Sequence, residues 1–568
     1  MRSRSRQAIL PLTMARALGQ LRIVLRALVI DFENRDLGLL GAARIGLSFA
    51  SWSFAIALGV YGFEAHGVVG AGLVALVRLL PGAIASPFAG LVADRFPRRT
   101  VLLASAALMA AILAGAAIAA GLDAPTGVVF VFPALFAVAS SGYAPAEAAM
   151  FPLLARTPQE LSASNVNHSA MENAGFIAAA VATGLLLTAT SPGTVFAVAA
   201  AVTLATVGLL AFVRRDQRPE YDEELAGTAR ELSRGARALI FHPALRLSSL
   251  TLILLLLFEG FADVILISMA LELLHLEEGA VGFLNASWGI GALVGGAALA
   301  LMLDRGHLVA AIAGGSLLLG AATMLPGFLP EEGTSYVAWF GIGIGFTFVE
   351  VAGKTLMYRL ASDETMGRVI SALEAGRLLA MAVGSLGAIL LVEWLHPDGA
   401  LIALGALMPI FVVLCWARLR AFEVGAPVAE GPYHLLRENS IFAPLPIATV
   451  ERLSHDLVEV EFDAGEEVIV QGEHGDRFFL IESGQVEVFE NGDFRRNEGP
   501  GESFGEIALL HDVPRTATVR TTEPTRLLAL EREQFLTAVS GHRRSSQLAG
   551  GVADDRWVSR EVARPSAE

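Results

Sequence analysis

Three polar residues near the C-terminus have the types and spacing of an anion-binding loop. Gly505 and Glu506 open a short apolar turn of predicted helix, and Arg515 follows after a loop. A glycine lets the backbone approach a ligand closely, and the unpaired N–H groups at a helix start attract anions. The Arg515 guanidinium adds a planar set of donors that suits a phosphate, and the Glu506 carboxylate accepts hydrogen bonds from hydroxyl groups. The stretch predicts a site for a ligand that carries a phosphate and a sugar.

The residues before this loop are typical of a small domain of β-strands. Val458, Val460 and Phe462 alternate with polar residues, and an apolar run covers residues 478–481. Glycines stand where turns are expected, at Gly465, Gly472, Gly475 and Gly484. The pattern predicts a β-roll that holds the anion-binding loop.

The roll and the loop together resemble cyclic nucleotide-binding domains, over roughly residues 433–541. The family pattern F-G-E-[IL]-A-L, a short loop and then P-R-x-A-T-V matches FGEIALLHDVPRTATV in this chain. The resemblance implies that Glu506 holds the ribose 2′-hydroxyl and that Arg515 holds the cyclic phosphate. The other residues that it assigns to nucleotide binding are Gly505, Ile507, Ala508, Thr516 and Ala517.

Thr516 does not decide which base the bound nucleotide carries. In the family, cAMP-selective kinase subunits have Ala after the arginine, and cGMP-selective kinases have Thr, whose hydroxyl can meet the guanine amino group. Other members with Thr prefer cAMP, so we expect cAMP with cGMP as the alternative. A roll that has lost its ligand is the other interpretation, and the presence of Glu506 and Arg515 disfavours it.

The composition of the whole chain indicates a membrane protein. Of 568 residues, 54% are hydrophobic and 17% are charged, with a mean hydropathy of +0.58. A formal net charge of −15 disfavours nucleic acid as a partner. Cys415 is the single cysteine, which excludes an internal disulfide and a cysteine metal cluster, and we expect no metal. Lys354 is the single lysine among many arginines, a bias from which we expect a bacterial source.

About twelve apolar stretches of spanning length lie between Leu37 and Arg418. One set of the loops between them carries arginine, and the alternate set carries neither arginine nor lysine. By the positive-inside rule we expect both termini to be cytoplasmic. Together with the bacterial source expected from the arginine bias, this predicts a protein of the inner membrane. The predicted domains are a basic N-terminal arm (1–36), a first six-helix bundle (37–213), a cytoplasmic linker (214–246), a second six-helix bundle (247–418), a linker (419–432), the nucleotide-binding domain (433–541) and a polar tail (542–568).

The loop after the second span carries a glycine followed by charged residues, Gly90, Asp94, Arg95, Arg98 and Arg99. A glycine at this point permits close helix packing, and the charges can pair across an interface that moves. The segment GLVADRFPRRT resembles the cytoplasmic signature G-x-x-x-D-R-x-x-R-R of the major facilitator superfamily, and LDRGH at residues 303–307 is a weaker echo in the second half. Two further segments, from Arg78 and from Gly367, resemble the drug-efflux-like branch.

Ionisable residues inside the spans are candidates for function, because burying charge in a membrane is costly. Glu259 and Asp263 lie one helical turn apart, so at least one of them is expected to carry a proton, which predicts coupling to protons or another cation. The alternative is neutralisation by Arg44 or Arg78. Arg44 is also a candidate for attracting an anionic substrate.

Glu350 and Lys354, again one turn apart, predict a structural ion pair, with a titrating lysine as the alternative. Glu172 and Glu374 lie near span ends, where we expect interface pairing or gating.

The predicted fold is an all-α polytopic membrane bundle of about twelve helices in two six-helix halves, followed by a cytoplasmic β-roll with flanking helices. The predicted function is efflux of an unknown small molecule by a secondary active transporter that resides in the lipid bilayer and responds to cyclic nucleotide. We expect no enzymatic activity. The competing hypothesis is a membrane-anchored nucleotide receptor that does not transport.

Overall fold

The apolar stretches fold into long α-helices, because a spanning segment must satisfy its backbone polar groups internally. The computed structural model describes residues 34–154, 158–214, 243–303, 308–360, 363–424, 430–445, 447–540 and 545. It divides into two compact units, Met1–Ala421 and Phe422–Glu568. The helices of the first unit are α1 Arg35–Arg95, α2 Arg98–Gly121, α3 Thr126–Val129, α4 Val131–Ser141, α5 Tyr143–Leu154, α6 Pro158–Ala189, α7 Pro192–Ala211, α8 Pro243–Ser268 with a π-helical extension Met269–Leu273, α9 Gly279–Leu303, α10 Leu308–Phe328, α11 Glu332–Leu360 and α12 Asp363–Val424.

Two of these helices are each long enough to cross a membrane twice. Helix α1 has 61 residues and breaks at His66 and Gly67, and α12 has 62 residues and breaks at His396. At 1.5 Å per residue each is about 90 Å long, against about 30 Å of hydrocarbon. Ten stretches of the described helices have the length and apolarity of membrane spans. Counting both arms of α1 and of α12 gives about twelve crossings, and the predicted polytopic helical bundle is confirmed.

Glycines let helices of this bundle touch backbone to backbone. A Cβ added at Gly260 of α8 would clash with the Met381 carbonyl oxygen of α12, and one added at Gly384 of α12 would clash with the Leu257 carbonyl oxygen of α8. Small residues at such contacts allow close approach, which gives the packing that holds helices together in lipid. Helices α8 and α12 therefore form a tightly packed pair.

The second unit contains a β-roll built from two four-stranded antiparallel sheets. The strand orders are β1-β8-β3-β6 and β2-β7-β4-β5. The strands are β1 Val458–Phe462, β2 Glu467–Ile469, β3 Arg477–Ser483, β4 Val486–Glu490, β5 Asp493–Glu498, β6 Ser503–Phe504, β7 Thr518–Thr521 and β8 Thr525–Glu531, and the helices are α13 Glu430–Glu438, α14 Ile447–Asp456, α15 Glu506–Leu510 and α16 Arg532–Ser540. The predicted roll with flanking helices is confirmed.

The continuous apolar run in β3 is explained by burial on both faces of its sheet. Successive side chains of a strand point to opposite faces. Phe479 and Ile481 enter the cluster between the two sheets, while Phe478 and Leu480 enter the cluster beneath the helices. The ring of Phe478 stacks on that of Phe535 of α16 with 4.7 Å between centroids. This contact fixes α16 on the roll.

Several predicted segments lie wholly or mostly outside the described residues. They are the N-terminal arm (1–36), the linker (214–246), the LDRGH echo (303–307) and the polar tail (542–568). In the predicted linker (419–432), α12 continues to Val424 and α13 begins at Glu430.

We expect Gly260→Val to destabilise the membrane unit, because the added side chain must push α8 away from the Met381 carbonyl. Overpacking of this kind costs about 1–3 kcal/mol or more. The measurement is the fraction of full-length protein that stays monodisperse in detergent after stepwise heating. Gly314→Val in α10 is the matched control, since a Cβ there has no neighbour within 4 Å among the described residues. Equal losses for the two variants would contradict the backbone contact.

Candidate functional site

The nucleotide-binding loop begins with a backbone conformation that favours glycine. Strand β6 ends at Phe504, Gly505 has φ +93°, and α15 starts at Glu506. A Cβ at Gly505 would lie 2.8 Å from Nη1 of Arg515 and 3.0 Å from the carbonyl oxygen of Arg477. Both the positive φ and the lack of space exclude a larger residue without rearrangement. Gly505 therefore lets the loop close around the arginine.

Arg515 is buried and held in place by the backbone. It is 6% exposed; Nη1 donates to the Gly505 carbonyl at 3.1 Å and Nη2 donates to the Arg477 carbonyl at 2.7 Å. Its own backbone N–H donates to the Glu473 carbonyl at 2.7 Å, and its carbonyl accepts from the Gly472 N–H at 2.9 Å. These bonds fix both the main chain and the guanidinium, so the arginine is preorganised for a ligand.

The charge of Arg515 is retained inside the roll. Burial lowers the pKa of its guanidinium from the usual value, while the charges of Asp476, Glu506 and Glu473 act in the opposite direction. Arginine stays protonated in proteins even when it is buried. The carboxylate of Asp476, which is largely exposed, lies 3.7 Å from Nη2 of Arg515. A buried cation whose hydrogen bonds go to neutral carbonyls attracts an anion.

Glu506 is 1% exposed and belongs to the first turn of α15. A carboxylate at a helix start is stabilised by the helix dipole. Its side chain lines the same cavity as that of Arg515. The cavity therefore contains both a cation for a phosphate and an acceptor for a hydroxyl.

The cavity has about 370 Å³ of space, partly open to solvent, and every residue that the sequence assigns to nucleotide binding lines it. Those residues are Gly505, Glu506, Ile507, Ala508, Arg515, Thr516 and Ala517. Ile469, Val488, Phe504 and Val519 add an apolar wall, and Arg496 adds a second cation. The arrangement has the mixed apolar and polar lining that small-molecule sites share.

Arg496 is a lining residue that the sequence analysis missed. It lies on β5, opposite Val488 of β4, and its Nε donates to Oε1 of Glu498 at 2.8 Å. The segment DFRRNE is polar throughout, so its pattern does not show which side chains face the cavity. Only the strand register brings Arg496 to the ligand side.

A second cavity lies between α1, which belongs to the first half of the bundle, and α8, which belongs to the second half. It has about 490 Å³ of space, and its polar lining includes Arg78, Asp263 and Asn285. Nη2 of Arg78 donates to Oδ2 of Asp263 at 3.0 Å. Glu259 lies one turn before Asp263 and does not line this cavity. Of the two arginines that the sequence offered to these carboxylates, Arg78 is the one that pairs with Asp263.

Arg44 pairs with other carboxylates in the structure, and not with Glu259 or Asp263, the alternative partners that the sequence left open for it. Its Nη1 lies 3.1 Å from Oε2 of Glu147 in α5, and its Nη2 lies 2.9 Å from Oε2 of Glu172 in α6. Glu147 was not identified from the sequence, although a carboxylate among small apolar residues of a span is a recognisable signal.

The predicted Glu350–Lys354 ion pair is present in α11, with 2.8 Å between Nζ and Oε1. In the segment GLVADRFPRRT, Nη1 of Arg98 donates to the Ala149 carbonyl of α5, and Nη2 of Arg99 donates to the Ala211 carbonyl of α7. These bonds tie the start of α2 to two neighbouring helices. Arg95 is exposed at the end of α1. Gly90 and Asp94 are helical in α1, and the side chains of Asp94 and Glu374 lie outside the described residues.

Metal binding has no support in the part of the chain that the structure describes. Those residues contain no group of three or more His, Cys, Asp or Glu side chains that could hold a metal ion.

Comparison with known proteins assigns the two units to two families. Residues 40–384 match the Major Facilitator Superfamily, and residues 459–542 match the cyclic nucleotide-binding domain. A regulatory subunit of cAMP-dependent protein kinase from Yarrowia lipolytica is 36% identical over 130 residues, which are 22% of this chain and 35% of that protein. The corresponding subunit from Debaryomyces hansenii is 37% identical over 102 residues, which are 18% of this chain and 23% of that protein. The chain thus spans about a third or less of the length of these relatives.

A solved structure of a POT family transporter in complex with 5-aminolevulinic acid shares the fold of the membrane unit. Its TM-score is 0.55 at 15% identity, and the likeness covers 68% of this chain and 97% of that chain. At this identity the likeness shows the fold alone. Because the first family match extends over more than half of the sequence, the chain belongs to the Major Facilitator Superfamily, and it carries a C-terminal cyclic nucleotide-binding domain.

Proposed function

We propose that this protein is a secondary transporter of a small molecule and that cyclic nucleotide bound to its C-terminal domain regulates the flux. The observation that carries the proposal is the cavity of the β-roll, in which the preorganised Arg515 and the buried Glu506 lie together. A transporter unit and a ligand-binding unit in one chain provide the two sites that allosteric regulation requires.

The cyclic phosphate binds Arg515, and the ribose 2′-hydroxyl donates to Glu506. The base then faces the remaining lining, which includes Val488, Arg496 and Thr516. The similarity to regulatory subunits that are named cAMP-dependent supports cAMP. The hydroxyl of Thr516 keeps cGMP as the alternative.

The transported molecule binds in the cavity between α1 and α8, beside the Arg78–Asp263 pair. This pair joins the two halves, so it must open if the halves separate during alternating access. Protonation of Asp263, or binding of another cation to its carboxylate, would weaken that pair and couple the ion to transport, and Glu259 one turn away is a second carboxylate that can take up the proton. Efflux, and membership of the drug-efflux branch, remain predictions from the local sequence resemblances.

Regulation acts through the chain that connects the two units. Only residues 425–429 lie between the end of α12 and the start of α13. We infer that nucleotide binding orders the roll and its helices and thereby biases the equilibrium between inward-facing and outward-facing states. From the arginine-bearing loops we infer that both termini and the roll are cytoplasmic, and from the bias toward arginine that the membrane is the inner membrane of a bacterium.

We expect Arg515→Ala to weaken binding of cAMP and cGMP at least about tenfold. Each hydrogen bond from a charged donor contributes about 1.5–3 kcal/mol, and about 1.4 kcal/mol corresponds to a factor of ten. Isothermal titration of the purified full-length protein with each nucleotide measures the affinity and the preference.

Arg526→Ala is the matched control for this titration. Arg526 belongs to β8, pairs with Glu461 on the protein surface and does not line the cavity. Arg515→Lys keeps the charge without the planar fork, and it should bind with intermediate affinity. Unchanged affinity in Arg515→Ala, or no binding by the native protein, would contradict the nucleotide site.

We expect saturating nucleotide to change the transport rate by about fivefold or more, the lower end of typical allosteric coupling. Proteoliposomes that contain a pH-sensitive dye and an imposed pH gradient are screened with a panel of small cationic, anionic and zwitterionic compounds. A compound that speeds collapse of the gradient identifies a transported class. The double variant Glu259→Gln, Asp263→Asn should abolish this exchange.

Arg515→Ala is the control for regulation, because it should keep the basal exchange and lose the nucleotide effect. Exchange that ignores saturating cAMP and cGMP would refute regulation. Unchanged exchange in the double variant would refute coupling at Glu259 and Asp263. An absence of any exchange in the native protein would favour the membrane-anchored receptor.

A further inference from the structure

A second group of ionisable side chains lies within the first half of the bundle, apart from the Arg78–Asp263 cavity. Three helices contribute to it, with Arg44 from α1, Tyr143 and Glu147 from α5, and His168 and Glu172 from α6. None of the five lines the cavity between the two halves. We call this group the Glu147 cluster.

Glu147 is the most deeply buried charge of the cluster. Its side chain is 1% exposed, and its Oε2 accepts a hydrogen bond from Nη1 of Arg44 at 3.1 Å. Its other oxygen, Oε1, is buried and has no hydrogen-bond partner among the described residues. The Tyr143 hydroxyl, one helical turn earlier, is also buried without a partner within that set. Leaving a buried carboxylate oxygen without a donor is costly, and a proton bound to that oxygen would remove much of the cost.

The charges of the Glu147 cluster do not cancel. The single guanidinium of Arg44 pairs with two carboxylates. Its Nη1 is bonded to Glu147, and its Nη2 lies 2.9 Å from Oε2 of Glu172. With His168 neutral, the group has one excess negative charge inside a membrane bundle. An uncompensated charge there is costly, and binding of a single proton neutralises the cluster.

The described side chains of the helices packed around Glu147 supply no further compensating charge at its carboxylate. Helix α6 presents Glu172 and His168, whose Nδ1 lies 4.0 Å from Oε2 of Glu147. Helix α2 presents Arg98, which donates instead to the Ala149 carbonyl. Helix α4 has no ionisable residue in its sequence. Among the described groups, the cation bonded to the Glu147 carboxylate is Arg44.

We propose that Glu147 is a proton-binding site of this protein, an inference that rests on the proposed transport function and places a coupling group in the first half of the bundle. A hydronium ion gives its proton to Oε1 of Glu147 and leaves as water, so one O–H bond breaks and one forms. The neutral acid removes the buried negative charge that shares the Arg44 guanidinium with Glu172. His168 and Glu172, which are 27% and 44% exposed, form the more accessible side of the cluster.

Protonation changes which helices the cluster ties together. The ionised Glu147 holds α5 to α1 through Arg44. The neutral acid loses most of that attraction, and Arg44 then pairs with Glu172 alone. The α1–α6 contact remains, since Oγ of Ser48 also donates to the Glu172 carbonyl at 2.8 Å. Proton binding therefore loosens α5 from α1 without separating α1 from α6.

Infrared difference spectroscopy of the full-length protein in lipid vesicles tests this site directly. Spectra at acidic and alkaline pH are compared in the carbonyl-stretch region of neutral carboxylic acids. We expect Glu147→Gln to lose one titrating acid band and Glu350→Gln, whose carboxylate is paired with Lys354, to keep that band. A folded Glu147→Gln protein with the native set of bands would overturn the proposal.

Glu147→Asp decides the question if Glu147→Gln does not fold. It keeps a carboxyl group in the Glu147 cluster on a shorter side chain, so a titrating acid band should persist and move from the native frequency. A folded Glu147→Asp protein whose acid bands all match the native ones would overturn the proposal.

The infrared test uses protons alone and needs neither nucleotide nor a transported compound. Loss of the band in a protein that transports none of the tested compounds would support the proton site and favour the membrane-anchored receptor over the transport proposal. Retention of the band in a protein that does exchange protons for a compound would refute Glu147 and leave the transport proposal intact.

Discussion

Charge pairing between helices is the constraint on which the membrane unit depends. Removing an ion from water costs several kcal/mol, and a pair inside a protein recovers this only with good geometry. Arg78 and Asp263 join the two halves in this way, and Arg44 joins three helices of the first half. Each pair is therefore both a structural tie and a place where a change of charge alters the packing of helices.

The buried arginine of the β-roll has a different kind of hydrogen-bond partner. Arg515 is held by the carbonyls of Gly505 and Arg477, which are neutral, whereas Arg44 and Arg78 are held by carboxylates. A carbonyl orients a guanidinium without cancelling its charge. The roll thereby presents a fixed cation to an incoming anion, while the membrane arginines are already neutralised.

The nucleotide loop could be predicted from the sequence because its residues are close together in the chain. A turn glycine, a helix start and an arginine in one short segment determine most of the local geometry, and the structure brings Glu506 and Arg515 to one cavity. Arg496 could not be predicted, since its position depends on the register of β5 with β4. The partners of Arg44 escaped prediction for the same reason, because Glu147 lies 103 residues away on another helix. The length of the apolar stretches predicted the helices, but it does not show which charged side chains of different helices meet.

The glycine contact between α8 and α12 limits how the second half of the bundle can move. Gly260 and Gly384 place each helix backbone against carbonyl oxygens of the other, with no side chain between them to change rotamer. Ser385 adds a hydrogen bond from its hydroxyl to the Gly260 carbonyl at 3.1 Å. Sliding or rotating one helix on the other would bring backbone atoms into collision. The two helices should therefore move together as one rigid body, and any hinge of the second half must lie at other contacts between helices.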